Sequence, residues 1–132
     1  MRREMTLIAL IPGLIWGSAH ATSTPWTVST TSADASFHGT LQCDKTPRPG
    51  PFQQCTLSLN QGDNTPLEVQ RVFINGGMPA HGHGLPTSPQ ASADKQPGHY
   101  LIKGLKFSMP GDWVLDASFQ HQGTLQTLRF EF

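Results

Sequence analysis

His81 and His83 stand two residues apart in the stretch NGGMPAHGHGLPTSP, residues 75 to 89, with Met78 just ahead of them. Imidazole nitrogen suits copper and zinc, and thioether sulfur selects Cu(I) in particular. If the segment is extended, both rings project from one side. Gly82 and Gly84 would also let the backbone bend until both rings reach a single ion. A second methionine, Met109, ends the apolar run that leads into MPGD. Met78, His81, His83 and Met109 thus form a neutral nitrogen and sulfur donor set. It could hold a copper ion as Cu(I) through mixed donors, or as Cu(II) chiefly through the two histidines.

The same residues admit a second reading in which they are architecture. Gly76, Gly77, Gly82 and Gly84 could serve backbone angles closed to other residues. Pro79 and Pro86 would stiffen the crossing, the histidines would bond backbone groups, and Met78 and Met109 would fill the core. On that reading the loop is a metal-free surface that docks a protein partner. The HxH spacing is short and common, so the residues alone leave both open.

Other chemistries find less support. No pair of carboxylates marks a cleft, no Ser or Cys has the local setting of a nucleophile, and Asp112 is the only acid near a turn of interest. The glycines of residues 76 to 84 are interleaved with Pro, Met and His and do not open a helix, which argues against a phosphate loop. The expectation is a protein that is not an enzyme. Nine Lys or Arg balance nine Asp or Glu, so the chain lacks the basic footprint of a nucleic-acid or acidic-membrane binder. Scattered aromatics give only a faint hint of carbohydrate binding. His99 opens a strand and is placed toward the same end as the HxH pair, whereas His38 and His121 read as surface residues.

The chain begins MRREMTLIALIPGLIWGSAHA: a basic start at Arg2 and Arg3, an apolar run from Leu7 to Trp16, and small residues at Ala19 and Ala21. This is the layout of a secretory signal peptide over residues 1–21. The run is interrupted by Pro12 and Gly13 and falls short of the roughly 20 apolar residues of a membrane span. A periplasmic or secreted protein without a stable span is expected, with an uncleaved anchor as the lesser alternative. What remains is about 110 residues, one small domain. In an oxidising compartment Cys43 and Cys55 are expected to pair, at a separation far wider than CxxC. Such a bridge would stabilise the fold by roughly 3 kcal/mol through the closed loop.

The elements that must position the donors are strands. Residues 22–35 are polar and rich in Ser and Thr and read as an N-terminal arm, although Trp26 and Val28 could start a short strand. Phe37, Leu41 and Cys43 share one face, as do Cys55, Leu57 and Leu59, with DKTPRPGPFQ breaking the chain between them. LEVQRVFIN forms a third strand whose phase changes between Val69 and Val72, which predicts a bulge or a change of sheet. Tyr100 and Trp113 are expected in the core. Trp113, Leu115, Ala117 and Phe119 alternate cleanly, as do Leu128, Phe130 and Phe132. Pro110 and Gly111 suit a type II turn. Residues 36–132 are therefore read as one all-β domain, an immunoglobulin-like antiparallel β-sandwich of about seven strands, with a small β-barrel as the alternative.

FINGGMPAHGHGLPTSP through GHYLIKGLKFSMPGDWVLDASF, residues 73 to 119, resembles the YtkA-like and FixH-like group of small exported or membrane-anchored bacterial domains. The resemblance lies in a Met-Pro turn before an HGHG loop, a following LPT.P, and a G.Y.I.GL.F.MPG.W.L strand pair. It implies an immunoglobulin-like envelope module associated with copper handling or with assembly of copper-containing respiratory complexes. Met78, His81, His83 and Met109 occupy the motif, and a copper recipient or another envelope protein is the implied partner. No permanent anchor of the FixH kind is evident, and Cys43 and Cys55 lie outside the matching stretch.

Overall fold

The computed structural model describes residue 13, residues 17–21 and residues 23–132. The basic start and most of the apolar run read as a signal peptide lie outside the described residues. Among the described residues, no helix is long and apolar enough to cross a membrane.

Period-two alternation governs the fold. Among the described residues nine strands form: β1 Trp26–Thr31, β2 Phe37–Cys43, β3 Gln53–Gln61, β4 Val72–Met78, β5 His83–Gly84, β6 Gln90–Ala93, β7 His99–Leu105, β8 Val114–His121 and β9 Thr124–Glu131. They make two antiparallel sheets, ordered β1-β2-β3-β7-β6 and β5-β4-β8-β9. Setting aside the edge strand β1 and the two-residue β5 leaves seven strands, four in one sheet and three in the other. Their order is that of an immunoglobulin-like sandwich, in which the second and fifth strands are neighbours although two others lie between them in sequence. The sandwich nearly closes along one edge, where the Trp26 ring of β1 meets Phe132 just past β9 at 5.1 Å, while Trp113 and Phe132 extend the β8–β9 ladder by one pair with backbone hydrogen bonds of 2.7 and 3.0 Å.

The expected inward faces are the observed ones. Leu41, Leu57, Leu59, Ile102, Leu115, Ala117, Phe119 and Phe130 pack between the sheets, and Tyr100 and Trp113 are buried with them. Gly39 has no side chain because a Cβ there would lie 2.9 Å from both Leu128 and Phe130 of the facing sheet. The phase change between Val69 and Val72 is a change of sheet. Leu67 donates its N–H to Leu59 of β3, and the Tyr100 hydroxyl accepts the Val69 N–H at 2.7 Å. Val72 then starts β4 opposite Phe119 in the other sheet.

Cys43 and Cys55 are disulfide-bonded and register partners in neighbouring strands, with Cα atoms 4.1 Å apart and both side chains buried. The bridge staples the β2–β3 hairpin and closes the proline-rich loop between them. Two details differ from expectation. Of the segment read as a polar arm, Trp26–Thr31 is a full edge strand paired along β2, held by the Trp26 ring against Phe132 at 5.1 Å. His99 lies at the end of β7 remote from Met109, registered with Ser58, because β7 runs away from that end before the chain reaches the 109–113 turn.

Candidate functional site

Three chain segments meet at one corner of the sandwich. β4 ends at Met78, and Pro79–His81 form a single 3-10 turn. Gly82 adopts a left-handed conformation, φ 64°, and donates its N–H to Pro79 at 3.3 Å. That reversal turns the chain back so that His83 pairs with Met78 in β5. The histidines are therefore not displayed from an extended segment; the glycine bend brings them together, their ring centroids 6.0 Å apart. Gly77 permits the tight return, because a Cβ there would strike the His83 carbonyl, and a Cβ on Gly76 would strike that of Val114.

The third segment is the turn from Phe107 to Trp113. His83 Nε2 lies 3.2 Å from Met109 Sδ. On the other side of the ring, His83 Nδ1 is 3.2 Å from the Gly84 carbonyl. The carbonyl oxygen only accepts, so the tautomer that donates Nδ1–H to it leaves the Nε2 lone pair toward the sulfur. In that tautomer two lone-pair donors face each other, and a metal ion could be shared between them. Donors bound to one ion at about 2.0 and 2.3 Å stand roughly 3.1–3.5 Å apart at angles between a right angle and a tetrahedral one. The observed separation falls in that range. Ring fixing through a backbone carbonyl is also the usual companion of a metal-binding histidine.

Trp113 holds both members of the pair. Its indole N–H donates to the Met109 carbonyl at 3.0 Å, and its ring meets the His83 ring edge-on at 5.9 Å. The core role expected of Trp113 is thus joined by a positioning role that its place four residues after Met109 does not reveal. Met78 is the most enclosed of the four donors, 1% exposed, and its terminal methyl lies 2.7 Å from where a Cβ would stand on Gly111. Gly111, φ 130°, keeps that space open. His81 is exposed at the rim. Among the described residues no three of His, Cys, Asp and Glu gather at one point; the corner offers imidazole and thioether, and the carboxylate that lines the same depression, Asp116, is paired with Arg129 at 2.8 Å. His38 and His121 lie elsewhere, His38 Nδ1 3.0 Å from the Thr31 hydroxyl and His121 edge-on to Phe37.

Fold and corner together describe a small two-sheet domain with a neutral histidine and methionine cluster at one end. Residues 23–117 match the YtkA-like family, and the chain belongs to it. The match reaches well upstream of residue 73 and includes Cys43 and Cys55, so the disulfide lies within the family region rather than outside it. No curated protein and no solved structure matches the chain.

Proposed function

We propose that the protein is an exported copper-binding module that carries, buffers or delivers the ion without turning over a substrate. His83 Nε2 and Met109 Sδ are its central donors, with His81 joining from the rim and Met78 from below. The observation that supports this most directly is the 3.2 Å approach of the imidazole nitrogen to the thioether sulfur. Imidazole and thioether donors favour Cu(I) over harder ions. The Cys43–Cys55 bridge and the signal-like start support an oxidising compartment outside the cytoplasm.

The test is a competition titration of the disulfide-intact protein with Cu(I) and Cu(II) against chromophoric chelators. The variant carrying His81→Ala and His83→Ala is run beside it, with circular dichroism to check the fold. One-to-one binding that the double variant loses while staying folded supports the reading. If neither ion competes, the reading fails and the loop is a protein-docking surface. If the double variant binds as tightly as the parent, the site lies elsewhere.

A further inference from the structure

Beside the histidine corner, and sharing Met109, Gly111 and Trp113 with it, lies an open pocket of about 220 Å³ between the proline-rich loop 44–52 and the 107–113 turn. Its floor and inner wall are aromatic. Trp26 meets Phe132 edge-on at 5.1 Å, Phe107 meets Trp113 at 5.0 Å, and Phe107 meets Phe132 at 5.8 Å. Each ring is braced by another, so the wall cannot collapse inward without breaking these contacts. Protein interiors leave few voids larger than a water molecule, and this opening persists where four large rings from both sheets stand around it.

The outer wall is equally fixed. The disulfide closes the loop at its base. Gly50 donates its N–H to the Phe107 carbonyl at 3.1 Å, beside a bridge between Pro49 and Phe107. The Gln53 side-chain amide donates to the Thr46 carbonyl at 3.2 Å. Pro47 and Pro49 line the pocket, and proline contributes a fixed φ and no N–H donor. A pocket bounded by braced rings and a tethered proline loop is preformed, so its occupant does not bear the cost of ordering it.

Its chemistry is narrow. The charged residue that lines it is Arg48, which forms no ion pair among the described residues. Asp44 borders the neighbouring depression, to which Arg48 also contributes, and Lys106 is turned over the Phe52 ring at 5.4 Å. With so few polar groups, the site cannot satisfy the hydroxyls of a sugar, which argues against the carbohydrate reading. A cavity of about 150 Å³ takes up benzene; the space here fits one ring with a short arm.

We propose that this pocket binds a small carboxylate bearing one aromatic ring or a short branched chain, with the apolar body among the rings and the carboxylate on Arg48. The probe is phenylacetate, titrated into metal-free protein and followed by the indole N–H signals of Trp26 and Trp113 in two-dimensional NMR. Saturable shifts at both indoles are expected, together with binding weaker for phenylacetamide and for phenethylamine. Arg48 is exposed, so Arg48→Gln should fold normally and weaken phenylacetate roughly three- to tenfold while leaving phenylacetamide unchanged. Absence of saturable shifts up to the solubility limit overturns the site. Equal binding of phenethylamine, or an unchanged phenylacetate affinity in Arg48→Gln, overturns the carboxylate assignment.

Discussion

Each end of the sandwich packs a histidine ring against an aromatic one, with different results. At the far end His121 stands edge-on to Phe37 at 5.1 Å, and Phe37 in turn meets Phe119. Asp34, Ser36 and the amides of Gln61, Gln122 and Gln126 surround it. At the near end His83 stands edge-on to Trp113 with Met109 sulfur at 3.2 Å, and it shares a depression with Met78, three glycines and the Asp116–Arg129 ion pair. The aromatic partner is common to both ends. What distinguishes the near end is a thioether 3.2 Å from an imidazole nitrogen, and glycines that let β5 fold back against β4. The far end offers hydroxyls, amides and one carboxylate, which suit hydrogen bonding and harder ions.

The largest effects should come from removing the aromatic partner at either end. Trp113→Ala and Phe37→Ala each empty a buried ring site and should each cost about 3–5 kcal/mol in denaturant unfolding. Only Trp113→Ala should also loosen Met109 and weaken Cu(I) binding, measured by chelator competition under conditions where the variant stays folded. Equal copper affinities in the two variants would mean that Trp113 does not position the donors. Next in size is Gly77→Ala, which forces β4 and β5 apart at the His83 carbonyl. It should destabilise the protein by about 1–3 kcal/mol and lower copper affinity at least tenfold. A far-end counterpart, the variant with His38→Ala and His121→Ala, should leave copper binding unchanged.

The two ends were also unequally legible in the sequence. Strict alternation of large apolar residues announced β8 and β9, because a half-buried strand must turn every second side chain inward. The broken phase between Val69 and Val72 was visible too, and its cause is a crossing between sheets pinned by the Tyr100 hydroxyl. The neutral donor set could be read from residue type. Its convergence could not, since Met109 and His83 are 26 residues apart and meet only through strand order and register. Trp113 looked like core filler because nothing local distinguishes an indole N–H that bonds a carbonyl four residues back. Trp26–Thr31 reads as an arm or at most a short strand because Ser and Thr dominate it and its pairing partner lies across a turn. The expectation for His99 fails because strand direction is not written in a single strand's composition.

A subtler comparison separates packing from ligation at the near end itself. Met109→Leu nearly conserves volume, so it should cost less than about 1.5 kcal/mol of stability. The leucine offers no lone pair to an ion held by His83 Nε2. Cu(I) affinity should therefore fall, by at least about fivefold, while Cu(II) affinity, carried chiefly by imidazole, changes little. A parallel loss for both ions would show that Met109 acts through packing and not as a donor.

The smallest expected effect lies at the far end. Asp34 Oδ1 accepts bonds from the Ser32 hydroxyl at 2.7 Å and the Ser36 N–H at 3.0 Å. The Ser32 hydroxyl, then Ser36, hold its carboxyl at about 2, below the ordinary 3.8. A carboxylate whose folded pKa is depressed stabilises the fold above its unfolded value and loses that contribution as pH falls through the folded one. The β1–β2 turn should therefore loosen between about pH 4 and pH 2, seen as faster amide exchange at Ser36 and Phe37. Asp34→Asn should flatten that acid dependence, and it should leave the near-end resonances of Trp113 and His83 where they are. A shift at both ends would mean that the turn and the histidine corner respond as one unit, joined through the β8 and β9 strands that run between them.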